Sequence, residues 1–153
     1  MSDTYVLHTD GGCAPNPGPG GWAFVLGTSG GEEIERYGGE ADSTNNRMEL
    51  TAVIRGLETA LEASGGRPKV EIVADSQYVL KGLNEWMPGW KRNGWTRKSG
   101  GRRQPVLNVD LWKRLDELKS LMDLEFTWVK GHSGHDGNER CDQLVKRGIR
   151  EHA

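Results

Sequence analysis

Several things are scarce in these 153 residues, and each scarcity excludes a class of protein. Only two cysteines occur, Cys13 and Cys141, too few for a disulfide framework and consistent with a reducing cytoplasm. No apolar run approaches the roughly 20 residues that span a bilayer, and the mean hydropathy is −0.68. The opening Met1-Ser2-Asp3-Thr4 lacks the basic stretch and apolar block of a secretory leader. Repeats, low-complexity linkers, apolar heptads and exposed apolar stripes are missing too. One domain over residues 1–153 and a monomer are therefore the expectations. Charge of one sign is also missing locally. Residues 86–109 carry no acid, although the whole chain has 22 acidic against 20 basic side chains. Within that stretch lie Lys91, Arg92, Arg97, Lys98, Arg102 and Arg103, together with Trp86, Trp90 and Trp95. A cationic, aromatic segment is set against an acidic remainder.

The periodicities predict strands first. Tyr5–Asp10 and Gly21–Leu26 read as strands joined through a Gly/Pro-rich turn, and Glu32–Glu40 as a weaker third strand. Ser43 or Thr44 can cap a helix running to about Ala63, with Leu50, Val53, Ile54, Leu57 and Leu61 on one buried face. Val70–Ala74 reads as a buried strand followed by a helix from Ser76. Asp110–Met122 is a helix, Leu124–Val129 a last strand, and Asn138–Arg150 a last helix. A strand meander followed by alternating helix and strand predicts an α/β fold, a mixed sheet with helices packed on it.

Four acids fall where acids are costly. Asp10 ends the first strand and Asp75 ends the apolar strand Val70–Ala74; Glu49 and Asp142 border the apolar stripes of their helices. A carboxylate bordering the core loses hydration, and four gathered together repel one another. A hard divalent cation removes both conflicts. Oxygen-only ligands favour Mg²⁺ or Mn²⁺ over zinc, and a pair of such ions is a known device for in-line displacement at phosphorus.

Thr9-Asp10-Gly11-Gly12, Thr44-Asn45-Asn46-Arg47-Met48-Glu49-Leu50, Asp75-Ser76-Gln77-Tyr78-Val79 and Gly131-His132-Ser133-Gly134 followed by Asn138-Glu139-Arg140-Cys141-Asp142 occur in one order. In that order and spacing the chain resembles type 1 ribonuclease H, and is similar to the bacterial ribonuclease HI branch, from about Tyr5 to Arg150. The resemblance implies a five-stranded mixed sheet whose first three strands are antiparallel, with helices on both faces. It implies an endonuclease that hydrolyses the RNA strand of RNA–DNA hybrids, leaving 5′-phosphate and 3′-hydroxyl ends. By position, Asp10, Glu49, Asp75 and Asp142 resemble the catalytic, metal-binding set for two Mg²⁺ ions, with Mn²⁺ a possible substitute. Asp10 would bridge both ions, Asp142 would serve the water-activating one, and Glu49 and Asp75 the one near the leaving oxygen. His132, in a glycine-rich loop, resembles the histidine that assists proton transfer or product departure.

Only the 2′-hydroxyl marks a strand as RNA at a given position, so small polar groups and backbone must reach the minor groove. Gly11, Gly12, Cys13, Asn16, Asn45, Asn46 and Gln77 resemble the family's hybrid-contacting positions. Segment 86–109 resembles the family's basic protrusion, which grips the DNA strand; Trp86, Trp90, Lys91, Arg92 and Trp95 are its expected contacts. Thr44 and Asn108 resemble a DNA-phosphate pocket. Two other readings compete: a module that grips hybrids or duplex RNA without cutting, and a DNA nuclease or strand-transfer enzyme on the same fold. Four acids beside a phosphate would hinder pure binding, which favours a nuclease.

Overall fold

The computed structural model describes residues 4–28, 31–129 and 136–153. Strands β1 (Thr4–Cys13), β2 (Gly18–Thr28) and β3 (Glu33–Ser43) form the antiparallel meander. Helix α1 (Asn45–Ser64) follows directly. Thr44 Oγ1 caps it by accepting from the Arg47 N–H, and Gly65 closes it in the left-handed region at φ 65°. Strand β4 (Lys69–Ala74) pairs parallel to β1, and β7 (Asp123–Trp128) pairs parallel to β4, so the sheet order is β3-β2-β1-β4-β7. Helix α5 (Asp136–His152) ends the fold. This is the five-stranded mixed sheet that the resemblance implied.

The two faces of the sheet separate by strand parity. Leu7, Phe24, Leu26 and Ile72 face α1 and α4 (Val109–Lys119), forming the larger core with Leu50, Leu57, Trp112 and Leu115. Ala23 and Val25 face the other way, against Cys141 and Val145 of α5. That second contact is close because Gly21 bears no side chain: a Cβ there would lie 2.3 Å from the Val145 carbonyl oxygen. Among the described residues, no helix is long and apolar enough to cross a membrane.

Two regions differ from the sequence reading. The Gly/Pro-rich connection between the first strands is shorter than expected, because β1 continues to Cys13 and β2 begins at Gly18. Alternation of polar and apolar residues fails there, yet cross-strand pairing from Asp10↔Ala23 to Cys13↔Gly20 holds the backbone extended. The cationic segment has its own architecture. Helix α2 (Gln77–Lys81) passes through a π-helical turn, Gly82–Trp86, into α3 (Met87–Arg92). A separate hairpin of β5 (Thr96–Ser99) and β6 (Arg102–Pro105) follows, turning at Gly100-Gly101. Its alternation is too polar to read as strand from sequence.

Candidate active site

The register of the two central strands puts the first two acids side by side. Leu7 pairs with Ile72 and His8 with Val73. Asp10 lies two residues beyond His8, and Asp75 two beyond Val73, so both stand at one level just past the parallel pairing of β1 with β4. Glu49 reaches the same place because α1 packs directly on the end of β1. A Cβ on Gly11 would lie 2.3 Å from the Met48 carbonyl carbon, so only glycine allows this approach.

Asp142 arrives by anchoring of α5. Asn138 Nδ2 donates to the Val73 carbonyl at 3.2 Å, and the Cys141 Sγ–H donates to the His8 carbonyl at 3.4 Å. Those two carbonyls belong to residues two before Asp75 and Asp10. Cys141 is thus a buried structural group whose packing positions its neighbour Asp142, and burial pushes its thiol up to about 12. Sequence reading missed this anchoring role.

The electrostatics match the placement. Burial pushes the Asp10 carboxyl up from 3.8 to about 7; the charges of Asp75, Asp142 and Glu49 add to the rise, and the Gly11 N–H opposes it. Burial likewise lifts Glu49 to about 7, with Asp75 adding and a hydrogen bond from Ser76 opposing. Ser76 Oγ donates to Glu49 Oε2 at 2.5 Å and accepts from the Val79 N–H, capping α2 at the same time. Lys146 Nζ stands 3.1 Å from Asp142 Oδ2, one helical turn along. The i,i+4 spacing of Asp142 and Lys146 was a signal available in the sequence; the Ser76 to Glu49 bond joins distant segments and had none.

Among the described residues, no three carboxylate, imidazole or thiol side chains already stand close enough to chelate an ion. Ser76 holds Glu49 by a hydrogen bond, and Lys146 pairs with Asp142. The donor set is nonetheless all oxygen, partly buried and short of counter-charge, which suits a hard divalent cation. His132 lies outside the described residues.

The expected groove residues form a linked turn. Asn45 Oδ1 accepts from the Cys13 N–H at 2.7 Å, and Asn16 Oδ1 accepts from the Asn45 N–H at 3.1 Å. Gly12 lies against Asn45, while Asn16, Asn46 and Gln77 are exposed. Burial raises the Cys13 thiol, which argues against a reactive thiolate there. Asn108 donates from Nδ2 to Tyr78 Oη at 3.1 Å and accepts at Oδ1 from Arg47.

The tryptophans divide. Trp86, Trp90, Tyr78 and the fully buried Trp112 form a chain of ring contacts between 5.3 and 5.9 Å. Trp90 and Trp95 pack against the core, whereas Trp86 is 37% exposed. Lys91 is paired with Asp116 at 3.1 Å; Arg92 has no ionic partner among the described residues.

The RNase H family profile matches residues 2–150. The chain is 53% identical to ribonuclease HI of Pseudomonas syringae pv. tomato, over 99% of this chain and 95% of that one. Of solved structures, LC9-RNase H1, a type 1 RNase H with the type 2 active-site motif, matches with a TM-score of 0.85. Its identity is 29%, covering all of this chain and 75% of that one. LC11-RNase H1, solved in complex with an RNA/DNA hybrid, is alike in fold at a TM-score of 0.73. That likeness carries 24% identity over 96% of this chain and 97% of that one. With the family profile, strand order and identity over nearly the whole chain in agreement, the chain belongs to the ribonuclease H family, in its bacterial type 1 branch.

Proposed function

We propose that this enzyme cuts the RNA strand of RNA–DNA hybrids internally, with two divalent cations, leaving 5′-phosphate and 3′-hydroxyl ends. The observation that carries the reading is the crowding around Asp10. A largely buried carboxyl near three other acids, raised to about 7, has the Gly11 N–H beside it but no cationic partner among the described residues. The hybrid bound in the LC11-RNase H1 structure supports the substrate class.

Asp10, Glu49, Asp75 and Asp142 would hold the ions, Mg²⁺ first and Mn²⁺ as a substitute. When bound, such ions supply activation of the attacking water and neutralise charge developing on the departing 3′ oxygen. Burial raises the Asp10 and Glu49 carboxyls to about 7, so that each is partly protonated near neutral pH, and cations held there would favour their charged forms. Ser76 orients Glu49 through its hydroxyl, and the Gly11 N–H orients Asp10. His132 assists by moving a proton at an imidazole nitrogen or by easing product departure.

Gly11, Gly12, Cys13, Asn16, Asn45, Asn46 and Gln77 would line the minor groove, where the linked turn brings backbone and amides close to a ribose. On the DNA side, Thr44 and Asn108 would take a phosphate. Trp86, Trp90, Lys91, Arg92 and Trp95 belong to a basic protrusion over 86–109, with Trp86 and Arg92 the most available. The enzyme is read as one domain over 1–153, a monomer acting in the cytoplasm.

The test is a labelled hybrid incubated with Mg²⁺ beside single-stranded RNA, duplex RNA and duplex DNA. The expected result is cleavage of the hybrid's RNA strand alone, abolished by chelator. Binding without cleavage would favour a gripping module, and cutting of duplex DNA would point to a different nuclease.

A further inference from the structure

Arg47 lies in the first turn of α1 and touches both residues assigned above to the DNA phosphate. Its backbone N–H donates to Thr44 Oγ1, and its Nη1 donates to Asn108 Oδ1, each at 3.2 Å. Among the described residues Thr44 and Asn108 share no direct bond, so Arg47 is what joins them. The rest of its guanidinium fork is taken by Asp110: Nη1 to Oδ1 at 3.1 Å and Nη2 to Oδ2 at 2.9 Å. Asp110 is 63% exposed and Arg47 32%.

Asn108 is itself fixed. It is a non-glycine residue at φ 59°, ψ 32°, and its amide is held by Arg47 on one side and Tyr78 on the other. Tyr78 Oη is steadied in turn by Trp112 Nε1 at 3.0 Å. A left-handed asparagine held on both ends of its amide is a positioned group rather than a loose surface one.

A carboxylate and a phosphodiester present the same pair of oxygens to a guanidinium fork. An exposed ion pair is worth little net, so an incoming phosphate can displace it. We propose that Arg47 is a further phosphate-binding residue and that Asp110 is its placeholder, occupying the guanidinium until a backbone phosphate of the DNA strand takes it over. The inference rests on the reading of Thr44 and Asn108 as the phosphate pocket. It makes Asp110 a competitor of the substrate, so that removing its charge tightens binding.

Steady-state cleavage of a labelled hybrid over a range of salt, with Asp110→Asn, Arg47→Gln, the double variant and Thr44→Ala, decides the matter. Asp110→Asn is expected to lower KM by about threefold to fivefold with kcat unchanged, the scale of one exposed ion pair. Arg47→Gln is expected to raise KM about tenfold and make the salt dependence shallower by about one unit of slope. The double variant should match Arg47→Gln, since without the guanidinium there is nothing to release. A merely structural pair would lower the unfolding temperature in both single variants and leave KM alone. That result, or a higher KM in Asp110→Asn, overturns the proposal. Thr44→Ala separates the two levels of argument. If its KM rises while that of Asp110→Asn stays put, only the placeholder is wrong. If its KM does not move, the phosphate pocket falls, and the placeholder with it.

Discussion

Asp10 and Asp110 carry the same side chain and live in opposite electrical surroundings. Within β1, Asp10 is deprived of water and lies near three other acids, and its carboxyl is raised to about 7. At the start of α4, Asp110 is mostly exposed and clasped by Arg47, whose hydrogen bonds hold its carboxyl below the usual carboxylate range. The contrast extends further. Glu58 lies with Arg114 at 2.9 Å, Glu33 with Arg140 at 3.1 Å, and Asp123 with Arg67 at 3.1 Å. Several surface acids are thus matched by cations, as Asp142 is by Lys146, whereas Asp10, Glu49 and Asp75 have no cation partner among the described residues. Acids gathered without a matching cation of the protein's own are what the proposed divalent ions would neutralise.

The largest expected effect is at Asp10. Asp10→Asn keeps the shape and removes the charge, and hybrid cleavage with Mg²⁺ should fall by roughly a thousandfold or more, the scale of lost metal-centred stabilisation. Stability should move the other way. A carboxyl raised from 3.8 to about 7 binds its proton more tightly in the folded state, so the metal-free protein loses stability as pH rises from about 4 through 7. In chelator at pH 8 the variant should unfold at a higher temperature than the parent, by on the order of 2 kcal/mol once partial solvent screening is allowed for. The advantage should vanish near pH 4. Asp110 has the opposite sign: its stabilising contribution is present above the ordinary carboxylate range and fades as pH falls below it. A variant at Asp10 that stays active, or that gains nothing at pH 8, would erase the contrast between the two acids.

The next effect concerns proton handling. His132→Ala should lower turnover by about a hundredfold yet leave measurable cleavage, since general acid–base help is worth less than the charge centre. Equal losses in His132→Ala and Asp10→Asn would overturn that ranking. Smaller again is the salt response. If about four phosphates are neutralised, log affinity for the hybrid should fall with log salt at a slope on the order of −3 to −4. Arg92→Ala should reduce that slope by about one, because Arg92 has no ionic partner among the described residues, whereas Lys91 is already paired with Asp116. A flat response would take segment 86–109 out of the binding account. Smallest is Cys13→Ala, expected to weaken cleavage by only a few-fold, because the Cys13 N–H to Asn45 bond uses backbone and survives the change.

How much could be read from sequence followed the physics of each region. The central strands and α1 were legible because alternation and the Leu50, Val53, Leu57 stripe report burial directly. The α1 cap was legible as Ser43 or Thr44, of which the structure uses Thr44, and Ser76 as the start of α2, because a hydroxyl is what an open N-terminus requires. The position of Asp75 at the end of β4 was legible too, since apolar residues stop there; Asp10, expected to end its strand, lies inside β1, which runs on to Cys13. That they stand level depends on a parallel register between segments about 65 residues apart, which no local pattern carries. The hairpin β5–β6 was invisible because its strands are polar on both faces and so bear no alternation. Anchors such as Asn138 on Val73, Cys141 on His8 and Arg47 on Asn108 are long-range side-chain bonds. Composition and spacing do not encode them.

The most direct test of the central claim is the unfolding temperature at pH 8 as Mg²⁺ is titrated into chelator-stripped protein, for the parent and for Asp10→Asn. An uncompensated carboxylate cluster predicts that the parent rises with Mg²⁺ and converges on the variant, which responds little. A parent indifferent to Mg²⁺, or a variant that rises as far as the parent, would contradict it.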